Sequence, residues 1–200
     1  MNSGRTSVEN GYKHEGVAFE QSPEERLDGT NRGGKTLVVY YSRSGNTRMV
    51  AEAISKRLGC DLEEITEPKN RGGLLGYMGA GSEGRKESIT EINPTKRDLA
   101  NYNIVIVGTP IWAWNISSPI RSYLTLNKGK FPDVAFYVTL DGRPGDSLKN
   151  METLVGKTPL TSELFYSSEI KKGGIQDKVE NFSDKILTHV SQELKGIVAR

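Results

Sequence analysis

Apolar and polar positions along this chain switch between two periods, and the switches predict a succession of strands and helices. Leu37, Val38, Val39, Tyr40 and Tyr41 form a continuous apolar run of β-branched and aromatic residues, as expected for a strand buried on both faces of a parallel sheet. Polar residues follow at once, and Met49, Val50, Ala53, Ile54 and Leu58 then recur at helical spacing. Asp61 to Ile65 predicts a weak edge strand. Ile104 to Gly108 predicts a second buried strand, after which Ser117, Ser118 and Pro119 open a helix carrying Ile120, Tyr123 and Leu124. Val134 to Leu140 predicts the next strand, followed by a helix with Leu148, Met151, Leu154 and Val155 that ends at Gly156. Leu160 to Ser167 predicts a fifth strand. Ile175, Val179, Phe182, Ile186, Val190 and Leu194 mark a final helix after Gly173 and Gly174. Alternating strands and helices with right-handed crossovers predict an α/β domain built on a doubly wound, five-stranded parallel sheet.

Two stretches fall outside this rhythm. Residues 1–34 hold only isolated Val17, Phe19 and Leu27 among polar residues and read as a flexible N-terminal extension, leaving 35–200 as the folded domain. The extension has no apolar central segment and so is not a secretory signal. The connection across residues 67–102 is long for a compact domain, where such length usually serves a lid or a binding loop. Its Leu74, Leu75, Tyr77 and Met78 read equally as a small flap or as a satellite cluster on the surface.

Composition narrows the function by exclusion. A formal charge of +2 with Lys and Arg scattered along the chain gives no basic face for nucleic acid. No apolar run approaches a membrane span, and the single cysteine, Cys60, has no internal disulfide partner, so the expected compartment is the cytoplasm. Cys60 reads as structural, with no His or Cys clustered near it in the sequence to suggest a metal. Two letter patterns are decoys. Gly29 to Thr36 matches G-x-x-x-x-G-K-[ST], but the strand follows the glycines instead of preceding them, so the amides cannot converge on a phosphate at a helix start. Gly79-x-Gly81-x-x-Gly84 has no strand before it and no amphipathic helix after it.

The informative chemistry lies in three loops, because ligands of open α/β sheets bind beyond the carboxyl ends of the strands. The first, Ser42, Arg43, Ser44, Gly45, Asn46 and Thr47, brings hydroxyls, a glycine and consecutive N–H groups to the start of a helix. That combination suits a phosphate, which meets orphan amides and the positive end of the helix dipole. The second, Thr109, Pro110, Ile111, Trp112, Ala113, Trp114 and Asn115, holds both tryptophans of the chain and predicts a platform for a flat ligand. The third, Thr139, Leu140, Asp141, Gly142, Arg143, Pro144 and Gly145, is Gly-rich and carries a carboxylate. No His, Ser or Cys constellation suits hydrolytic catalysis.

Ser42 to Thr47 after VVYY, Gly108 to Trp112 after IVIV, and Thr139 to Gly142 after AFYV together resemble the flavodoxin family, especially its small members with a P-x-W loop. The resemblance spans about residues 35–195 and implies the strand order 2-1-3-4-5. It also implies FMN, with its phosphate on Ser42 to Thr47 and its ring between the loops at Pro110–Asn115 and Thr139–Gly145. The function it implies is that of a redox protein passing electrons between partner proteins. The alternative is an FMN-dependent NAD(P)H:quinone or flavin reductase acting on a small acceptor. Electron-carrier members are usually strongly acidic, whereas this chain is slightly basic and carries Arg143 beside Asp141.

Overall fold

The computed structural model describes residues 35–68 and 88–198. The N-terminal extension, the glycines of both decoy patterns and the apolar group at 74–78 lie outside the described residues. Within them run β1 (Thr36–Tyr40), α1 (Asn46–Leu58), β2 (Asp61–Glu64), β3 (Ile104–Trp112), β4 (Asn115–Ile116), α2 (Ser118–Leu126), β5 (Asp133–Leu140), α3 (Ser147–Val155), β6 (Ser162–Tyr166), α4 (Ser167–Lys171) and α5 (Gln176–Val198).

The five parallel strands lie in the order β2-β1-β3-β5-β6, which is 2-1-3-4-5 once the short β4 is set aside. Alternation along each strand builds a separate core on each face. Leu37, Val39, Val105, Val107, Phe136 and Val138 face one side, under Ile120, Tyr123 and Leu124 of α2 and Met151 and Val155 of α3. Val38, Tyr40, Ile104, Ile106, Ala135 and Tyr137 face the other, under Val50 and Ile54 of α1 and Val179, Phe182, Ile186 and Val190 of α5. The buried stripe of α1 is Thr47, Val50, Ala51 and Ile54, so Met49, which the apolar spacing assigns to the core, stands 44% exposed on another side of the helix.

Register places the three loops at one edge. Tyr40 lies opposite Gly108, and Gly108 lies opposite Tyr137, so β1, β3 and β5 approach their carboxyl ends nearly level. β3 then runs on to Trp112 and folds back through β4, an antiparallel hairpin that the sequence pattern does not predict. The five-residue α4 is a second unpredicted element. At the far edge, β2 is held by the end of the long connection: the buried Glu63 carboxylate accepts the N–H groups of Lys96 and Arg97, and Asn93 N–H donates to the Thr66 carbonyl at 2.8 Å.

Cys60 follows the helix cap at Gly59, where the chain takes φ 63° and Cys60 N–H returns to the Ser55 carbonyl. Burial pushes its thiol up to about 12. Because the thiolate is the reactive form, alkylation of the native protein at pH 8 is expected to run about a hundredfold or more slower than in denaturant. Mass spectrometry of iodoacetamide-treated samples checks this, and equal rates would place the thiol in solvent.

Candidate functional site

The first loop is built from below. After β1 the chain passes Tyr41, whose ring meets Trp112 edge-on at 5.6 Å, and reaches Gly45 at φ 94°. That left-handed turn strains any residue with a Cβ and lets the chain enter α1 abruptly. Gly45 N–H donates to Ser42 Oγ at 3.1 Å, which closes the loop on itself. The first-turn N–H groups of Asn46, Thr47 and Arg48 have no carbonyl within the helix to bond. No side chain among the described residues caps them, and the first turn holds no acidic residue. Ser44 and Arg43 are exposed beside this end, and Ser42 is half-buried.

Other side chains of the same loop are turned to neighbouring elements. Thr47 is buried, with its Oγ1 2.8 Å from Thr139 Oγ1. Asn46 Nδ2 donates to Ser167 Oγ at 3.0 Å, and Ser167 Oγ in turn donates to the Leu140 carbonyl at 3.3 Å. The wholly buried Tyr137 donates from its phenol to the Thr47 carbonyl at 3.2 Å, and burial, then the nearby Tyr40, pushes that phenol well above its ordinary pKa. Arg48 grips Glu64 with one Nη2 at 2.8 Å from both carboxylate oxygens, fixing α1 to β2. The loop is therefore anchored to β5, β2 and α4, while its amide end and Ser44 face outward.

The second loop separates its tryptophans. Trp112 is 6% exposed and belongs to the core, whereas Trp114 is 58% exposed. The cause is the hairpin: Trp112 pairs with Asn115, leaving Ala113 and Trp114 as a two-residue turn at φ 47° and 67°. A surface offered to a flat ligand from this turn is therefore Trp114 alone. Thr109 is also inward: its Oγ1 accepts Ser117 N–H at 3.1 Å and lies 3.0 Å from Ser117 Oγ, closing the base of the hairpin. Pro110, Ile111, Ala113 and Asn115 are half-buried.

The third loop rests on the second. Gly145 sits at φ 56°, and a Cβ there would lie 2.0 Å from the Trp114 carbonyl oxygen. Asp141, Gly142, Arg143 and Gly145 are exposed, whereas Thr139 and Leu140 are buried at the strand end. Sequence reasoning missed Tyr137, Asn150, Arg121 and Ser167, which reach these loops from other elements. Only Gly108 hinted at the first, since a glycine inside a strand pattern signals a close approach. Among the described residues no three His, Cys, Asp or Glu gather to hold a metal, and no helix is long and apolar enough to cross a membrane.

The same fold occurs in known proteins. The family model described as Flavodoxin matches residues 35–139. A flavoprotein from Lactobacillus acidophilus NCFM, solved in complex with FMN, matches at a TM-score of 0.58 and 23% identity, covering 70% of this chain and 97% of that one. A protein described as a flavoprotein from Bacteroides uniformis ATCC 8492 matches at 0.59 and 22%, over 73% and 99% of the two chains. The flavodoxin, WrbA-like protein of Agrobacterium tumefaciens matches at 0.51 and 16%, over 80% and 98%. At these identities the structural likeness is one of fold.

Proposed function

The chain belongs to the flavodoxin family, and on that premise we propose that it binds FMN at the edge formed by its three loops and passes electrons between protein partners. The observation that carries the reading is the uncapped start of α1, with its free first-turn amides beside Ser42 and Ser44, on the same sheet edge as the exposed Trp114. That donor set fits a phosphate dianion: backbone N–H groups, hydroxyls, a favourable helix dipole and no carboxylate in the first turn. The amides of Asn46, Thr47 and Arg48 with the hydroxyls of Ser42 and Ser44 would hold the phosphate. Trp114 and the exposed backbone from Asp141 to Gly145 would hold the ring. When bound, FMN supplies reversible electron exchange, and the chain supplies position and electrostatics.

The openness of Trp114 and of the third loop supports a protein partner, because a ring held there stays within reach of another molecule's surface. The exposed Arg143 favours a second reading, an FMN-dependent NAD(P)H reductase, since a guanidinium attracts the negative charge that two-electron reduction brings. Steady-state oxidation of NADPH by the purified flavoprotein with a quinone acceptor separates the two: turnover supports the reductase, and its absence with rapid reduction by an electron-transfer protein supports the carrier. The cytoplasm is the compartment we assign, in keeping with one unpaired cysteine.

Absorbance of the purified protein tests the cofactor. Flavin bands, with FMN rather than FAD released on denaturation, support it, and a chain that takes up neither free FMN nor riboflavin sinks it. The two tryptophans give a sharper test. Trp114→Leu is expected to weaken FMN binding about fivefold through lost stacking, with thermal stability nearly unchanged. Trp112→Leu is expected to lower stability by about 2 kcal/mol, because it empties part of a packed core. Equal effects of the two on affinity and on urea midpoint would contradict the split between a core tryptophan and a ligand-facing one.

A further inference from the structure

The hairpin that presents Trp114 is strained, and something must hold it. Two successive residues with side chains, Ala113 and Trp114, occupy the left-handed region, which costs roughly 1–2 kcal/mol for each such residue and persists only where the surroundings over-determine the backbone. The element next to the turn that does so is the Asn115 side chain. Its Oδ1 accepts Ile116 N–H at 2.8 Å, Arg121 Nη2 at 2.9 Å and Asn150 Nδ2 at 2.9 Å. One carbonyl oxygen thereby joins the hairpin to α2 through Arg121 and to α3 through Asn150. Arg121 is 6% exposed, so the charge-assisted bond it makes is sheltered from water. Gly145 closes on the other side, against the Trp114 carbonyl.

We propose that Asn115, held by Arg121 and Asn150, is a positioning residue that fixes Trp114 for the ring of the flavin, acting through the hairpin backbone and not on the phosphate. The proposal rests on the FMN reading above. It changes the part given to Asn115 by the family resemblance, because its side-chain oxygen is spent inside the protein. It also makes a distinction by ligand half: the hub serves the ring, and the amide end of α1 serves the phosphate. Riboflavin, which has the ring and lacks the phosphate, therefore separates them.

The test uses the full chain in a Trp112→Phe background, where Trp114 is the sole tryptophan, with FMN and riboflavin as probes. Asn115→Ala removes the shared acceptor and is expected to weaken both ligands by the same factor, up to about the fivefold set by removing Trp114 itself, since a bond to a charged group is lost and the turn is released. Asn150→Ala removes one donor from a half-buried position, keeps the fold, and is expected to weaken both about threefold. Asn115→Asp keeps the acceptor oxygen and should restore binding to within about twofold of the parent. Without any ligand, Trp114 fluorescence anisotropy should fall in Asn115→Ala and recover in Asn115→Asp, a response that general destabilisation would not give. Loss of FMN affinity with riboflavin affinity intact would overturn the proposal, as would unchanged anisotropy and affinity in both alanine variants. A parent that binds neither ligand refutes the FMN reading and with it the flavin role of the hub, while the ligand-free anisotropy separately decides whether Asn115 holds the turn.

Discussion

Ser44→Asp is expected to lower FMN affinity by about two orders of magnitude while leaving riboflavin affinity nearly unchanged. Ser44 is exposed one residue before the Gly45 cap, beside the unpaired amides of Asn46, Thr47 and Arg48. A carboxylate fixed there competes for those amides and repels the phosphate. A charge of −1 about 5 Å from a charge near −2, at an effective dielectric of about 40 for a partly exposed site, opposes binding by roughly 3 kcal/mol. The same carboxylate meets the positive end of the helix dipole, so the ligand-free variant should gain about 0.5 kcal/mol of stability. Opposite signs for stability and affinity separate this mechanism from simple damage. Isothermal titration with both ligands and urea unfolding of the ligand-free protein read it directly. An FMN affinity that stays within threefold of the parent would move the phosphate away from the first loop.

Gly108→Ala is expected to destabilise the domain by about 3 kcal/mol or more, the upper range for overpacking a tight core. A Cβ at Gly108 would stand 2.0 to 2.4 Å from ring atoms of Tyr137 on the neighbouring strand. Tyr137 cannot swing clear, because it is wholly buried, packs edge-on against Phe165 at 6.0 Å and donates its phenol to Thr47. The damage should therefore reach the first loop, since Tyr137 and Thr139 support the opening turn of α1 from beneath. A double-mutant cycle isolates the contact: in a Tyr137→Ala background, adding Gly108→Ala should cost under about 1 kcal/mol. An additive cycle, or a single Gly108→Ala variant as stable as the parent, would show that the ring does not cross the glycine.

Much of the fold was legible along the chain because burial imposes a local period. Runs such as Leu37–Tyr41 and Val134–Leu140 are apolar at every position, as a strand covered on both faces requires, and Val179, Phe182, Ile186 and Val190 repeat at the helical step. Gly59 and Gly156 mark helix ends because the left-handed cap is a local demand of the backbone. Met49 shows the limit of periodicity, since an apolar residue at nearly the right spacing lies off the stripe that Thr47, Val50, Ala51 and Ile54 actually bury.

The sequence by itself determined the five parallel strands, the main helices and the three chemically rich loops, because each is set by interactions among residues a few positions apart. Only the tertiary structure decided which side chains of those loops face out. Trp112 and Trp114 are near neighbours of one residue type, yet the two-residue turn between Trp112 and Asn115 sends one into the core beside Tyr41 and leaves the other in solvent. Thr47 is written like a phosphate ligand, yet Thr139, ninety-two positions away, takes its hydroxyl. The need for glycine at 108 and 145 comes from Tyr137 and from the Trp114 carbonyl, and neither approach has any trace in the residues flanking those glycines. Such choices depend on the register of strands and the packing of loops far apart in the chain, and they exist only once the sheet has formed.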